Sequence, residues 1–334
     1  MDIRPEDINK WFSAFNDLTI MVIGDVMIDS YLWGKVQRIS PEAPVPVVEV
    51  FKEENRMGGA ANVALNLMEL GATPVICSVI GQDEKESTFR ALMAKRGFTD
   101  EGIISSPQRV TTVKTRVISS GQHLLRVDQE KIQALQAEEE TELIARCKSI
   151  MASQKIDAII FEDYDKGVLT PNVIQAIVEE ANSKGIVTAV DPKKDHFFDY
   201  RKVTLFKPNL KELREGMKLD FEGSDLVQLE KAVVALEQEL GNYISFVTLS
   251  ENGVWIKQGE AKTHIAAHSR EIMDVSGAGD TVISVATLGL AIGLQPEHLA
   301  ALANLAGGLV CERVGVVPIQ SEQLRKEALK LLVA

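Results

Sequence analysis

Short runs of apolar, largely β-branched residues recur along the chain, and most end at a glycine or a polar residue. TIMVIG, residues 19–24, is the first. PVICSVIG (74–81), DAIIFED (157–163), IVTAVDPK (186–193), VTLFKPN (203–209) and ISFVTLS (244–250) follow the same pattern. Such short apolar runs are the pattern of buried strands. Amphipathic stretches lie between them, among them helices predicted over Glu138 to Gln154 and near Pro171 to Lys184. This alternation predicts βαβ units, and so an α/β fold with a doubly wound, mostly parallel sheet.

Two stretches break the alternation. YLWGKVQRISPEAPVPVVEVF (31–51) is rich in aromatics, prolines and valines, and proline is tolerated in edge strands rather than central ones. TTVKTRVISSGQHLLRVD (111–128) reads as a hairpin turning at Ser120-Gly121. Together they predict a small β lid built from segments 30–55 and 110–130, inserted into one domain over residues 1–334. Between them, GGAANVALNLMELGA (58–72) starts on two glycines and continues as an amphipathic helix closed by Gly71.

Composition narrows the function. The net charge is −12, from 48 acids against 36 bases, which argues against sequence-independent nucleic-acid binding. A local basic pocket for an anionic substrate is still compatible with that balance. Cys77, Cys147 and Cys311 are odd in number and far apart, so reduced thiols in a cytoplasmic protein are expected. The N-terminus lacks the apolar core of a signal peptide, and the run Val282 to Leu294 is too short to span a membrane.

In open α/β sheets ligands bind beyond the carboxyl ends of the strands. The unusual polar residues fall there: Asp25, Asp29, Asp163, Asp191, Lys193, Asn209, Glu212, Ser250 and Asp280 among them. DVSGAGDT (274–281) is the most informative motif. Its small residues Gly277, Ala278 and Gly279 let backbone N–H groups converge on an anion at a helix start. Asp280 follows at once, where the helix dipole favours a carboxylate and where a hydroxyl's proton could be accepted. The plain alternative is a tight turn with an ordinary first-turn acid. The motif is neither a Walker A loop nor a GxGxxG fingerprint.

KPNLKE (207–212) spaces Asn209 and Glu212 as a capping box; the same pair would also suit a hydrated Mg²⁺, and both readings hold together. Gly58 and Gly59 would let a polyol approach the backbone, with Asn62 one turn on, or they serve only the helix entry. Asp25 and Asp29 in GDVMID suit sugar hydroxyls, or cap a turn. Asp191 and Lys193 in VDPK make a functional or a simple loop pair. Lys114, Arg116 and Arg126 on the predicted hairpin are solvated strand charges or a site for a substrate phosphate. Lys114 and Arg116 share parity and so a face, while register decides Arg126.

Assembled in this order, the motifs resemble the ribokinase (PfkB) family of sugar kinases, over nearly the whole chain from about Leu18 onward. The resemblance implies transfer of the ATP γ-phosphoryl group to a sugar hydroxyl. Asp280 would be the base and Gly277, Ala278 and Gly279 the anion hole. Asn209 and Glu212 would be the magnesium-associated pair. Asp29, Gly58, Gly59 and Asn62, with Asp163 and Lys193, would face the sugar. Ser250, Gly253 and Asn304 would face the nucleotide. GDVMIDSYLWG, RISPEAPVPVVEV, GGAANVALNL and DYDKG resemble more closely the branch forming the kinase half of bifunctional heptose-7-phosphate kinase/adenylyltransferases. That implies D-glycero-D-manno-heptose 7-phosphate as acceptor, phosphorylated at its anomeric hydroxyl, in ADP-heptose and lipopolysaccharide precursor synthesis. Met27 stands where ribokinases carry asparagine, which argues against ribose. The HxGH motif of a nucleotidyltransferase does not occur, so a kinase without that domain is expected. The resemblance also implies a homodimer joined through the lids, with no membrane or nucleic-acid partner. Another sugar or sugar-phosphate kinase of the family is the alternative. A non-catalytic sensor on the same fold would have been favoured by loss of Asp280 or the glycines, and all are present. A dinucleotide-dependent oxidoreductase lacks its fingerprint after the first strand.

Overall fold

The computed structural model describes residues 2–333. The first half runs α1 (Pro5–Phe15), β1 (Thr19–Gly24), β2 (Val26–Ile39), β3 (Pro46–Gly59), α2 (Ala60–Glu69), β4 (Thr73–Gly81), α3 (Glu84–Lys95), β5 (Ile103–Ser106), β6 (Val113–Ser119) and β7 (Gln122–Gln129). It continues with α4 (Ala137–Ser153), β8 (Ala158–Glu162), α5 (Pro171–Lys184), β9 (Val187–Asp191), β10 (Leu205–Phe206), α6 (Leu210–Met217) and α7 (Leu226–Leu240). The last elements are β11 (Ile244–Thr248), β12 (Val254–Gln258), β13 (Ala261–Ile265), α8 (Ala278–Ala291), α9 (Pro296–Val310) and α10 (Ser321–Leu331).

Period-2 alternation inside the apolar runs decides the layers. Ile20 and Val22 of β1, with Ala158 and Ile160 of β8, join a core shared with α1, α2, α8 and α9. Met21, Ile23, Ile159 and Phe161 join a second core on the opposite face, against α4, α5 and α7. Because both faces are covered, these strands carry apolar residues at every position. Each such side chain, fully buried, stabilises the fold by about 1.5–3 kcal/mol of transfer free energy.

The large sheet has nine strands in the order β13-β12-β11-β10-β9-β8-β1-β4-β5. It is parallel from β11 through β5, and β12 and β13 add an antiparallel hairpin at one edge. The sequence reading had ISFVTLS opening another βα unit. Instead Gly253, at φ 85°, closes a short turn that folds β12 back on β11. Strand order reverses at β1, so the switch-point crevice opens beyond Gly24, Glu162 and Asp191.

The lid is a four-stranded sheet, β3-β2-β6-β7, extending the expected segments back to Val26 and forward to Gly59. Ser120 and Gly121, at φ 51° and 77°, make the tight turn between β6 and β7, since a two-residue hairpin whose twist matches its strands needs two positive φ values. Asp29 thus lies within β2 rather than in a turn, paired in register with Arg56 and Lys114. Among the described residues no helix is long and apolar enough to cross a membrane.

Candidate active site

DVSGAGDT folds as the turn into α8. Asp274 accepts from the N–H groups of Ser276 (2.9 Å) and Gly315 (2.8 Å), tying the turn to the later segment. Gly277, at φ 79°, takes the left-handed cap that favours glycine. Asp280 therefore falls in the first turn of α8, at 6% exposure. Asn62 Nδ2 donates to its Oδ2 at 2.6 Å, and the Tyr164 hydroxyl donates to its Oδ1 at 2.8 Å. Burial pushes the Asp280 carboxyl above the ordinary aspartate value, and the bonds from Asn62 and Tyr164 offset part of that rise. The helix dipole, which the sequence reading invoked for the ionised form, is thus outweighed by desolvation. A base with a raised pKa binds a proton more firmly, which suits proton abstraction near neutral pH.

On one side of Asp280 and Gly279 lies a cleft of about 930 Å³, at the upper end of the usual size for small-molecule sites. Lys207, 2% exposed, bonds Asp191 Oδ2 at 2.9 Å, and Lys193 bridges Asp191 Oδ1 (3.0 Å) and Glu212 Oε1 (2.8 Å). Burial disfavours the charge on Lys193, but Asp191 and Glu212 outweigh it and hold the ammonium above the ordinary lysine range. The first-turn N–H groups of α8 have no acceptor inside the helix; that of Ala278 reaches Val275 O at 3.3 Å.

Asn209 caps α6, accepting from Glu212 N–H while Glu212 Oε2 accepts from Asn209 N–H, both at 2.8 Å. Both Glu212 oxygens are thus bonded, and among the described residues no cluster of three or more His, Cys, Asp or Glu side chains is arranged as a metal cage. This donor set fits a Mg²⁺ held through water and phosphate oxygens, not one gripped directly by the protein. Ser250 lines the cleft. Gly253 instead packs against β13, where an added Cβ would meet Ile265 O at 2.1 Å. Asn304 donates to Ala266 O at 2.9 Å, outside the cleft lining.

On the other side of Asp280 stands the inner face of the lid. Lys114 and Arg116 share that face, as parity predicts. Arg116 pairs with buried Asp29 at 2.5 Å. Lys114 makes no ion pair among the described residues, and burial, with Lys166 nearby, lowers its pKa. Arg126 lies opposite Arg116, but it is solvent-exposed and holds Asp128, two residues along its own strand, at 2.8 and 2.9 Å. Its charge is already matched there. Gly58 and Gly59 have packing reasons of their own: an added Cβ would stand 2.2 Å from Asp29 Oδ2 and 2.3 Å from Asp25 O, respectively. Both Asp163 oxygens are used internally, by Tyr200 Oη (2.7 Å) and Asp165 N–H (2.8 Å), and burial pushes its carboxyl up to about 7.

Four residues had no role in the sequence reading. Tyr164 reaches Asp280. Arg56 stacks on the Tyr31 ring at 4.7 Å, with Arg116 at 5.4 Å from the same ring. Lys207 is the buried counter-ion of Asp191. Glu162 is buried beside Asp191, and desolvation, with Asp191 and Asp280 nearby, pushes its carboxyl well above the usual glutamate range. DYDKG and KPN were the available signals for Tyr164 and Lys207. Asp25, suggested for sugar hydroxyls, instead accepts the N–H groups of Tyr164, Lys166 and Val168 at 3.0–3.1 Å and fixes that loop.

Over residues 17–323 the chain matches the pfkB family of carbohydrate kinases, and it belongs to that family. It is 38% identical to the bifunctional protein HldE of Syntrophotalea carbinolica over 96% of its length and 65% of that protein's. It is 40% identical to HldE of Methylobacillus flagellatus, over 92% of this chain and 62% of that protein. The chain thus spans somewhat under two thirds of these curated relatives. Phosphofructokinase-2 from Escherichia coli superposes with a TM-score of 0.75 at 18% identity, covering 92% of this chain and 97% of the other. Arabidopsis thaliana ribokinase, complexed with ribose and ATP, superposes with a TM-score of 0.68 at 15% identity, covering 92% and 99%. At those identities the likeness establishes the fold alone.

Proposed function

We propose that the chain transfers the γ-phosphoryl group of ATP to the anomeric hydroxyl of D-glycero-D-manno-heptose 7-phosphate, giving the 1,7-bisphosphate on the way to ADP-heptose in the cytoplasm. The observation that carries this reading is the position of Asp280, between a nucleotide-sized cleft and a lid face holding Lys114, which makes no ion pair among the described residues. The resemblance to the heptose-7-phosphate kinase branch, and identities of 37–40% to HldE proteins, support the choice of sugar.

In this reading Asp280 accepts the proton of the attacking hydroxyl, and Asn62 orients the carboxylate. The N–H groups opening α8 receive the transferring phosphoryl oxygens, and Lys193 and Lys207 set the positive field around the phosphates. Glu212, Asn209 and Asp191 would hold Mg²⁺ through water, where the ion neutralises phosphate charge. Asp29 and Asn62 face the sugar, and Lys114, Arg116 and Arg56 meet its far phosphate. Arg56, which also holds Glu54 at 2.6 Å but is half-buried against the Tyr31 ring, takes the place first given to the exposed Arg126. ADP release measured against a panel of sugars and sugar phosphates tests the assignment. Heptose 7-phosphate is expected to exceed every other acceptor by at least about tenfold in kcat/KM, a difference of about 1.4 kcal/mol. A preference for an unphosphorylated sugar would overturn it.

The lid also supports a homodimer. Ile39, Phe51 and Leu125 on its strands, and Val45 in the connection between β2 and β3, are 51–67% exposed, apolar surface that a monomer would leave open to indiscriminate pairing. Light scattering at micromolar concentration is expected to give twice 36.7 kDa, and Phe51→Glu with Ile39→Glu to give the single-chain mass. A fully active wild-type monomer would contradict the proposal.

A further inference from the structure

Both oxygens of Asp280 are already occupied, by partners of different kinds. The amide of Asn62 is an orienting group. The Tyr164 partner is a hydroxyl, and a hydroxyl is what this base has to serve. Tyr164 Oη lies 2.8 Å from Oδ1, the distance at which an attacking sugar hydroxyl would donate. Among the described residues it has no other hydrogen-bond partner.

We propose that Tyr164 stands in for the acceptor: its hydroxyl occupies the base until a sugar displaces it, and so keeps water from using Asp280 to attack ATP. The inference rests on the reading of Asp280 as the base. The reaction held back is hydrolysis. Water's oxygen bonds to the γ-phosphorus as the bond to the β,γ-bridging oxygen breaks. ADP leaves with that electron pair, and water's proton goes to the Asp280 carboxylate.

Two further features make Tyr164 a removable occupant. Its backbone is fixed, because Asp25 holds the N–H groups of Tyr164 and Lys166 through Oδ2 and that of Val168 through Oδ1. Its ring is flanked by two ammonium groups, Lys114 of the lid and Lys193 of the cleft, each 5.6 Å from the centroid, within cation–π range. A substrate phosphate that draws Lys114 to itself withdraws one of the two cations holding the ring. Release of the base is thereby tied to the arrival of a phosphorylated acceptor rather than to any small hydroxyl.

The test is phosphate release from ATP by the purified chain with Mg²⁺ and no sugar, so it does not depend on which sugar is native. Tyr164→Phe is expected to raise that rate by about 10- to 100-fold, the range of one hydrogen bond to a charged group. The same variant is expected to lower KM for the sugar phosphate, since nothing must be displaced. It should also move the acid limb of the pH profile upward, because the lost bond favoured the ionised carboxylate. A structural defect would produce none of these gains. Tyr164→Leu, also lacking the hydroxyl, should move hydrolysis in the same direction. Tyr200→Phe removes a buried hydroxyl bonded to Asp163, next to Tyr164, and should leave hydrolysis unchanged. Asp280→Asn combined with Tyr164→Phe should abolish the rise. If Tyr200→Phe raises hydrolysis as much, or Tyr164→Phe and Tyr164→Leu do not raise it while Asp280→Asn is inactive, the stand-in role falls and the base remains. If Asp280→Asn alone still phosphorylates sugar at the wild-type rate, the base assignment falls first.

Discussion

Asp280→Asn is expected to lower kcat by about 10²–10⁴-fold while ATP binding stays intact. Asparagine keeps the size and shape of the side chain. Its carbonyl can still accept from Asn62, and its amide can donate to the Tyr164 oxygen, so both contacts at 2.6 and 2.8 Å have a counterpart. Only the proton acceptor is lost. Steady-state rates with calorimetric ATP titration separate the two effects, and a near-normal kcat would refute the assignment. The wild type's pH profile carries the same information. The base must be ionised to work, so activity falls as pH drops through its pKa. Burial raises that pKa, so the fall should begin at a higher pH than for an exposed aspartate. The Asn variant's residual activity should lack that limb.

Lys114→Ala is expected to raise KM for heptose 7-phosphate by about 10- to 100-fold, since a charge-assisted contact is worth about 1.5–3 kcal/mol. KM for ATP should stay near the wild-type value, because Lys114 stands on the lid face and not among the residues lining the cleft. Arg126→Ala should change either KM by less than about twofold. Its exposed pair with Asp128 is of the kind worth about 0–1 kcal/mol. An unphosphorylated sugar should be insensitive to Arg126→Ala, and Lys114→Ala should not raise its KM, since that substitution loosens Tyr164 without removing a contact to such a sugar. If Lys114→Ala behaves like wild type on the phosphorylated acceptor, the lid does not read a phosphate, and a kinase for a neutral sugar becomes the better account.

What could be read from the chain divides by sequence distance. β1, β4, β8 and β9 were evident as apolar runs, and the β6–β7 hairpin followed from Ser120-Gly121, because strand burial and turn chemistry are local. The Asn209–Glu212 pair was legible for the same reason, at a spacing of three. Tyr164 lies 116 positions from Asp280 and Asn62 lies 218 away, so no local period could announce either hydrogen bond. DYDKG marked a loop without telling which of its side chains pointed inward. Parity placed Lys114 and Arg116 together and left Arg126 to the register. Register then brought it to the same face, but Asp128 two residues on neutralised it. Arg56, at the end of the polar run KEENR from Lys52, had the pattern of a solvated strand and was hidden by it.

The lid grows out of the large sheet with almost no linker: β2 starts two residues after β1 ends, and β3 passes directly into α2. Gly58 and Gly59 form the junction, packed so closely on Asp29 and Asp25 that a methyl group has no room there. Asn62 follows three residues later and holds Asp280. The arrangement is that of a lever with very unequal arms. A lid strand of 14 residues has a contour of about 45 Å at roughly 3.3 Å per residue. Asn62 sits about 4.5 Å from the pivot, at about 1.5 Å per helical residue. A tilt of about 5° at the glycines sweeps the far tip through about 4 Å and shifts the Asn62 backbone by about 0.4 Å. Coarse travel at the rim is geared down to the sub-ångström scale on which reacting groups must be aligned.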